Sequence, residues 1–493
     1  MVRIHPHGLG VERLSGHDAT VVGSGPNGLA AAIVLARTGH AVQLVEARDT
    51  LGGGMRSAEL TRPGFVHDIC SAIHPMALGS PFLRDLPLAE HGLHLIQPGA
   101  PLAHPLDGGG AVMLERSVED TADGLGADGG SYRRLMAPLA DAADAVIGDM
   151  FGPIRLPRHP ISSARFGLAA LRSADGLARA RFETERARAL FAGIAAHSML
   201  PLTAPTTAAA GLVLGLMGHA FGWPLARGGS QQIAEAMASY LRELGGEIVT
   251  SKAVSSLDEL PGCDLVMLDL TPRQVLRIAG ARLPDRYRRT LGRYRYGPGV
   301  CKLDWALDGP VPWTADECGR AATAHLGGTL EGIAHSEQEV WHGRHAERPY
   351  VLFAQQTPFD STRAPAGKHT AWAYCHVPAG SDVEMTDRIE AQVERFAPGF
   401  RDLIIDRSVI TAAALERYNA NYVGGDINGG VQDLRQLFTR PAPRPVPYAT
   451  PVRGLYICSS STPPGGGVHG LCGYFAAQAA LRRLGTRGPK FAA

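Results

Sequence analysis

Apolar positions change period twice within the first part of the chain. Residues 19–22 (ATVV) form a short apolar run of strand type. Residues 29–36 carry good helix formers that Gly39 stops, and residues 41–45 return to a strand pattern. Together these predict a strand–helix–strand unit. Further on, residues 63–105 are loop-rich with several histidines, and a turn at 107–110 precedes a strand at 111–114. Helical patterns dominate from 131 to about 216. Ser230 is a candidate N-cap for a helix whose Ile233, Met237, Leu241 and Leu244 share one face, with Gly245 and Gly246 ending it. Strands are expected at 247–250, 253–257 and 265–269. Residues 299–307, 350–355 and 371–376 read as strands of a second sheet, whose aromatics Trp305, Trp372 and Tyr374 suit a pleated surface. A helix at 385–396, a strand at 455–458 and a helix at 473–481 complete the pattern.

The turn between the first strand and helix carries candidate chemistry. Gly23, Gly25 and Gly28 stand in G-x-G-x-x-G spacing, with Ser24, Pro26 and Asn27 between them. Gly23 makes the tight turn, Gly25 removes a side chain that would block a pyrophosphate, and Gly28 permits close helix packing. N–H groups at the helix start then face the anion. Glu46 ends the second strand, where a carboxylate accepts from a ribose diol and repels a 2′-phosphate. Ala47 follows it. The same glycine spacing occurs at Gly124, Gly126 and Gly129, which follow a polar, helix-like segment and read as a loop, and at Gly465, Gly467 and Gly470. Only the first case lies between a strand and a helix. After Glu46 the chain runs into Gly52, Gly53, Gly54, Met55, Arg56 and Ser57, which lets backbone follow a larger cofactor than a nicotinamide dinucleotide alone.

Composition narrows the reading. Lysine plus arginine total 48 against 47 acids in 493 residues, so nothing supports a nucleic-acid partner. The length implies two or more domains. Seven scattered cysteines without C-x-x-C exclude a dithiol relay and a zinc ribbon, and suit a reducing cytoplasm. No metal site is expected. The first 17 residues lack the apolar core of a secretory signal and read as a flexible leader. No window is long and apolar enough for a transmembrane segment. Six arginines between Ile161 and Leu190 face only three acids. That stretch is either a solvated helix face or a peripheral membrane contact.

With the fingerprint, Glu46 and the Gly52, Gly53, Ser57 element in place, the chain resembles the FAD-binding amine-oxidase and phytoene-desaturase superfamily. The segments PGFVHDICSAIHPMALGSPF, YRYGPGVCKLDWALDGPVPW and STPPGGGVHGLCGYFAAQAAL resemble its phytoene-dehydrogenase-like branch, from about Asp18 to Leu481. The resemblance implies FAD and an α/β fold: a discontinuous Rossmann-type FAD-binding domain with a mixed α+β substrate domain. FAD-binding segments are then expected at 18–115, 225–298 and 431–493. A helical cap at 116–224 and a substrate-domain sheet at 299–430 lie between them. It also implies that backbone at Val254 meets the adenine, with a core valine as the alternative. Gly466, Gly467, Val468 and His469 would form a second cofactor turn ahead of the last helix, where a helix start stabilises negative charge.

Three side chains are candidates for proton handling. His469 stands at that helix start, Lys302 lies mid-strand where a superfamily lysine holds a water, and His74 follows the glycine cluster. For Lys302 a salt bridge to Asp304 is the alternative. For His469 the alternative is backbone contact alone. His197, His219 and His376 read as satisfied polar groups. The expected activity is an FAD-dependent oxidoreductase taking hydride from a C–C or C–N bond of an apolar small molecule. Dioxygen, a quinone or a protein carrier would accept the electrons. An FAD-dependent isomerase and a non-catalytic binding protein are the alternatives.

Overall fold

The computed structural model describes residues 17–153, 155–486 and 488, so the expected leader, save His17, lies outside the described residues. Its organising element is a five-stranded parallel sheet of β1 (Ala19–Val22), β2 (Val42–Val45), β3 (Glu247–Val249), β4 (Leu265–Leu268) and β5 (Leu455–Ile457). The spatial order is β5-β4-β1-β2-β3. The order reverses between β1 and β4, and such a switch point opens a crevice beyond the strand ends. Strands supplied by three distant stretches of chain meet in one sheet. Helix α1 (Pro26–Ala36) follows β1 and is buried along nearly its whole length, which matches its all-round apolar sequence. It is packed by α2 (Gln231–Glu243) and by α3 (Leu471–Arg483). A Cβ on Gly473 would overlap the Asn27 carbonyl, so glycine there sets how closely α1 and α3 approach.

The second sheet has seven strands. Its order is Ile404–Ile410, Gly299–Leu307, His369–Val377, Val351–Gln355, Thr323–Leu326, Leu102–Pro105 and Ala111–Leu114. Pairing is antiparallel except between Thr323–Leu326 and Leu102–Pro105. One face packs on the helix Thr386–Phe396 through Trp305, Phe353 and Phe400. The other, with Leu352 and Trp372, packs on helices drawn from 118–220.

Several expectations change. The hairpin at 102–114 closes the edge of the second sheet rather than belonging to the first nucleotide-binding segment. Residues 253–257 are not a strand, because β3 ends at Val249 and the chain then crosses the crevice as coil. Gly124 to Gly129 is not a loop: Val118–Gly124 and Gly129–Ala140 are helices joined by a tight turn. Ser230 does not cap α2 with its own side chain. Ser57 Oγ accepts from the Gln231 N–H at 3.1 Å, and Asp68 Oδ1 accepts from the Ser230 N–H at 2.8 Å. The start of α2 is thus capped by the loop after the glycine cluster.

Candidate functional site

A cavity of about 700 Å³ joins the two glycine turns. At one end its wall is Gly23, Ser24, Gly25, Pro26, Asn27, Glu46, Ala47, Gly53, Gly54, Arg56 and Val254; farther along come Gly466, Gly467 and Val468. The cradle is shaped by missing side chains. A Cβ on Gly25 would stand 2.6 Å from Asp269 Oδ2, on Gly53 3.0 Å from Gly25 Cα, and on Gly467 2.6 Å from Met76 Sδ. Glu46 is held from four sides. Its Oε2 accepts from Ser24 N–H at 3.0 Å and Ser24 Oγ at 2.6 Å, and its Oε1 from Arg48 N–H at 2.9 Å and Arg56 Nη2 at 3.0 Å. Arg56 therefore brings a buried guanidinium to the cavity.

The remaining expected contacts lie behind this wall. Gly28 packs its backbone against Gly23, where a Cβ would overlap the Gly23 carbonyl. Gly52 turns at φ +113 and donates to Ser24 O at 3.1 Å, and Met55 is fully buried. Ser57 gives its hydroxyl to Asp68 at 2.7 Å. These four shape the cradle without lining it.

The proton-handling candidates separate. His469 is consumed by its own turn: Nδ1 accepts from the Leu471 N–H at 3.0 Å, which leaves the proton on Nε2, 3.2 Å from Gly465 O. It caps α3, burial pushes its pKa down to about 4, and it does not reach the cavity. Lys302 also stays behind the wall. It is bonded to Asp304 and lies 5.6 Å from the Trp372 ring centre, while Trp372 lines the cavity. Asp304 is pushed up to about 6 by burial, against the pull of Lys302. His74 alone of the three lines the cavity. Ser230 Oγ donates to Ser71 O at 2.6 Å, so it receives the His74 Nε2 proton at 2.8 Å. The buried Nδ1 is left as an acceptor with no partner among the described residues. Burial holds this ring neutral, with its pKa lowered to about 4.

Two wall residues escaped sequence reasoning. Asp269 follows β4 across the switch point from the fingerprint, and its Oδ2 accepts from the Gly28 N–H at 3.0 Å. Burial first, and Glu46 nearby, push its carboxyl up to about 7. An acid directly after the apolar run LVML was the available signal. His197, read as a satisfied polar group, is bonded through Nε2 to His325 Nε2 at 3.0 Å and stands on the cavity wall as well. Burial lowers its pKa to about 3. His219 is satisfied as expected, by Tyr132 Oη at 2.7 Å and Arg116 O at 3.3 Å. His376 places Nδ1 against the Glu337 carboxylate at 2.8 Å, while its Nε2 has no partner among the described residues. Beyond the glycine turns the wall turns apolar, with Phe166, Leu200, Val213, Leu214, Trp223 and Leu352.

Comparison with known proteins agrees with this geometry. Residues 21–86 match the family model of an NAD(P)-binding Rossmann-like domain. The chain is 26% identical to the mouse (Mus musculus) pyridine nucleotide-disulfide oxidoreductase domain-containing protein 2, over 95% of this chain and 94% of that one. It is also 26% identical to a phytoene desaturase (neurosporene-forming) of Rhodobacter capsulatus, over 92% of each. Cyclohexylamine oxidase from Brevibacterium oxydans superposes with a TM-score of 0.59 at 17% identity, over 95% of this chain and 99% of that one. The chain is thus similar to phytoene desaturases and dehydrogenases over most of its length, and it shares its fold with solved amine oxidases.

Proposed function

We propose that the protein is an FAD-dependent dehydrogenase or oxidase that takes hydride from a C–C or C–N bond of an apolar small molecule. The observation that carries this reading is the single cavity running from the Gly23 to Gly28 cradle, past Gly467, into an apolar chamber. The residues present fit a flavin dinucleotide. Gly25, Gly53 and Gly467 stand where a Cβ would strike Asp269, Gly25 and Met76, so bare backbone forms this wall, and Glu46 lies on it beside the fingerprint turn. Arg56 supplies positive charge on the same wall. When bound, the flavin supplies the hydride acceptor, which no side chain offers.

The chain's own groups bind, orient and keep out water. The second glycine turn brings the backbone of Gly466, Gly467 and Val468 to the wall. His74 lines the wall with a neutral ring whose Nε2 is tied to Ser230. His197, backed by His325, offers a neutral imidazole at the wall that includes Phe166 and Trp223. An apolar lining stabilises a hydrophobic substrate by roughly 25 cal/mol per Å² of surface buried.

The test is anaerobic mixing of the FAD-loaded protein with apolar amines, alcohols and polyenes while the flavin absorbance is followed. Bleaching by one class supports the dehydrogenase reading and names the bond. Conversion of a polyene with the flavin left oxidised would favour an isomerase. Reoxidation of the bleached protein by dioxygen, or only by a quinone or a protein carrier, identifies the acceptor.

A further inference from the structure

The segment around the helix Pro160–Ala170 carries more exposed apolar surface than its surroundings require. Leu156 is 91% exposed, Ile161 83%, Leu168 77% and Leu171 53%. Ile161, Leu168 and Leu171 are seven and three residues apart, which puts them on one side of the helix. The opposite side buries Phe166 and Ala170. Phe166 is a wall residue of the cavity, and so is Met150, which is itself 41% exposed. The cavity wall therefore reaches the surface beside the apolar stripe.

Charge on this face has one sign. Arg155, Arg158, Arg165 and Arg172 are exposed, and no acid occurs between Asp149 and Asp175. The bordering acids are occupied. Asp149 accepts from the Arg158 and His159 N–H groups and from Ser163 Oγ, and Asp175 pairs with Arg179 at 2.9 Å. Among the described residues none of the four arginines has a carboxylate partner. A second copy packed face to face would set these arginines against one another. A plane of anionic headgroups above acyl chains satisfies both the arginines and the leucines. Among the described residues no helix is long and apolar enough to cross a membrane, so the segment would lie on the bilayer.

We propose that residues 150–172 dock the protein onto an anionic lipid bilayer, with the cavity opening at Met150 toward the acyl region. The inference rests on the apolar-substrate reading for its purpose, and the docking is measured without substrate. The purified full-length protein is spun with phosphatidylcholine vesicles, or with vesicles of equal parts phosphatidylcholine and phosphatidylglycerol. Wild type is expected to sediment with the anionic vesicles and to be released by salt. The Ile161→Ser/Leu168→Ser/Leu171→Ser variant is expected to lose about tenfold or more in partitioning with unchanged melting, since these side chains are exposed. Arg158→Gln/Arg165→Gln should weaken binding to anionic vesicles alone. Wild type left in the supernatant with both vesicles would overturn the proposal, as would a triple variant that binds like wild type. So would a wild-type oligomer that the triple variant dissolves, which would mark a protein interface. Failure here with flavin bleaching intact would leave the proposed activity standing.

Discussion

At the scale of single residues, Asp269 sets a conflict inside the cradle. Its carboxylate occupies the Gly28 N–H, at the helix start suited to an anion. Its pKa, raised from 3.8 to about 7, means that burial penalises the charged form. The sign follows: the protonated group costs the fold nothing, and the penalty grows as pH rises from the free value through 7. A pyrophosphate nearby would repel the ionised form. FAD affinity is therefore expected to fall as pH rises past neutrality, by up to about tenfold per pH unit. Asp269→Asn should bind FAD more tightly and remove that dependence, read by quenching of FAD fluorescence on either side of pH 7.

Lys302 makes the contrasting case. As half of a buried ion pair, its replacement by Met leaves Asp304 unpaired, at a cost of about 3–5 kcal/mol. The double variant Lys302→Met/Asp304→Leu should recover most of that loss in thermal melts and retain flavin reduction. A double variant that is stable yet unable to reduce flavin would return Lys302 to the chemistry. His469→Ala should cost about 0.5–2 kcal/mol through the lost cap of α3, without moving any pH optimum.

At the scale of elements, regular periods were legible and conformations set by distant partners were not. The strand Gly299–Leu307 and the βαβ unit follow local pattern closely, since their burial is uniform along the run. The start of α2 shows the limit. Ser230 has the chemistry of a cap, yet Ser57 and Asp68, more than 150 residues away, supply it. Residues 253–257 have a strand pattern without a neighbour to pair with. The α1 and α3 contact was also invisible, because only the fold brings Gly473 onto Asn27. Gly473→Ala should cost ~1–3 kcal/mol by overpacking and reduce FAD retention together with the melting temperature. A variant that keeps both would show that the two helices part freely.

At the scale of the whole molecule, the cavity is assembled from pieces that the sequence spaces hundreds of residues apart. Both glycine turns and Glu46 were legible because each chemistry restricts residue type at fixed spacing. His197, Trp223 and Trp372 were not, because any sheet or helix places such residues in its core, and only the packing turns them toward a ligand. The same limit applied to His74 and His469. Their surroundings decide which ring nitrogen is free, and the free one is on His74.

The most direct measurement is the flavin content of the purified chain after FAD addition and gel filtration. Wild type is expected to emerge yellow with FAD equimolar to protein. A wild type that takes up no FAD would contradict the account.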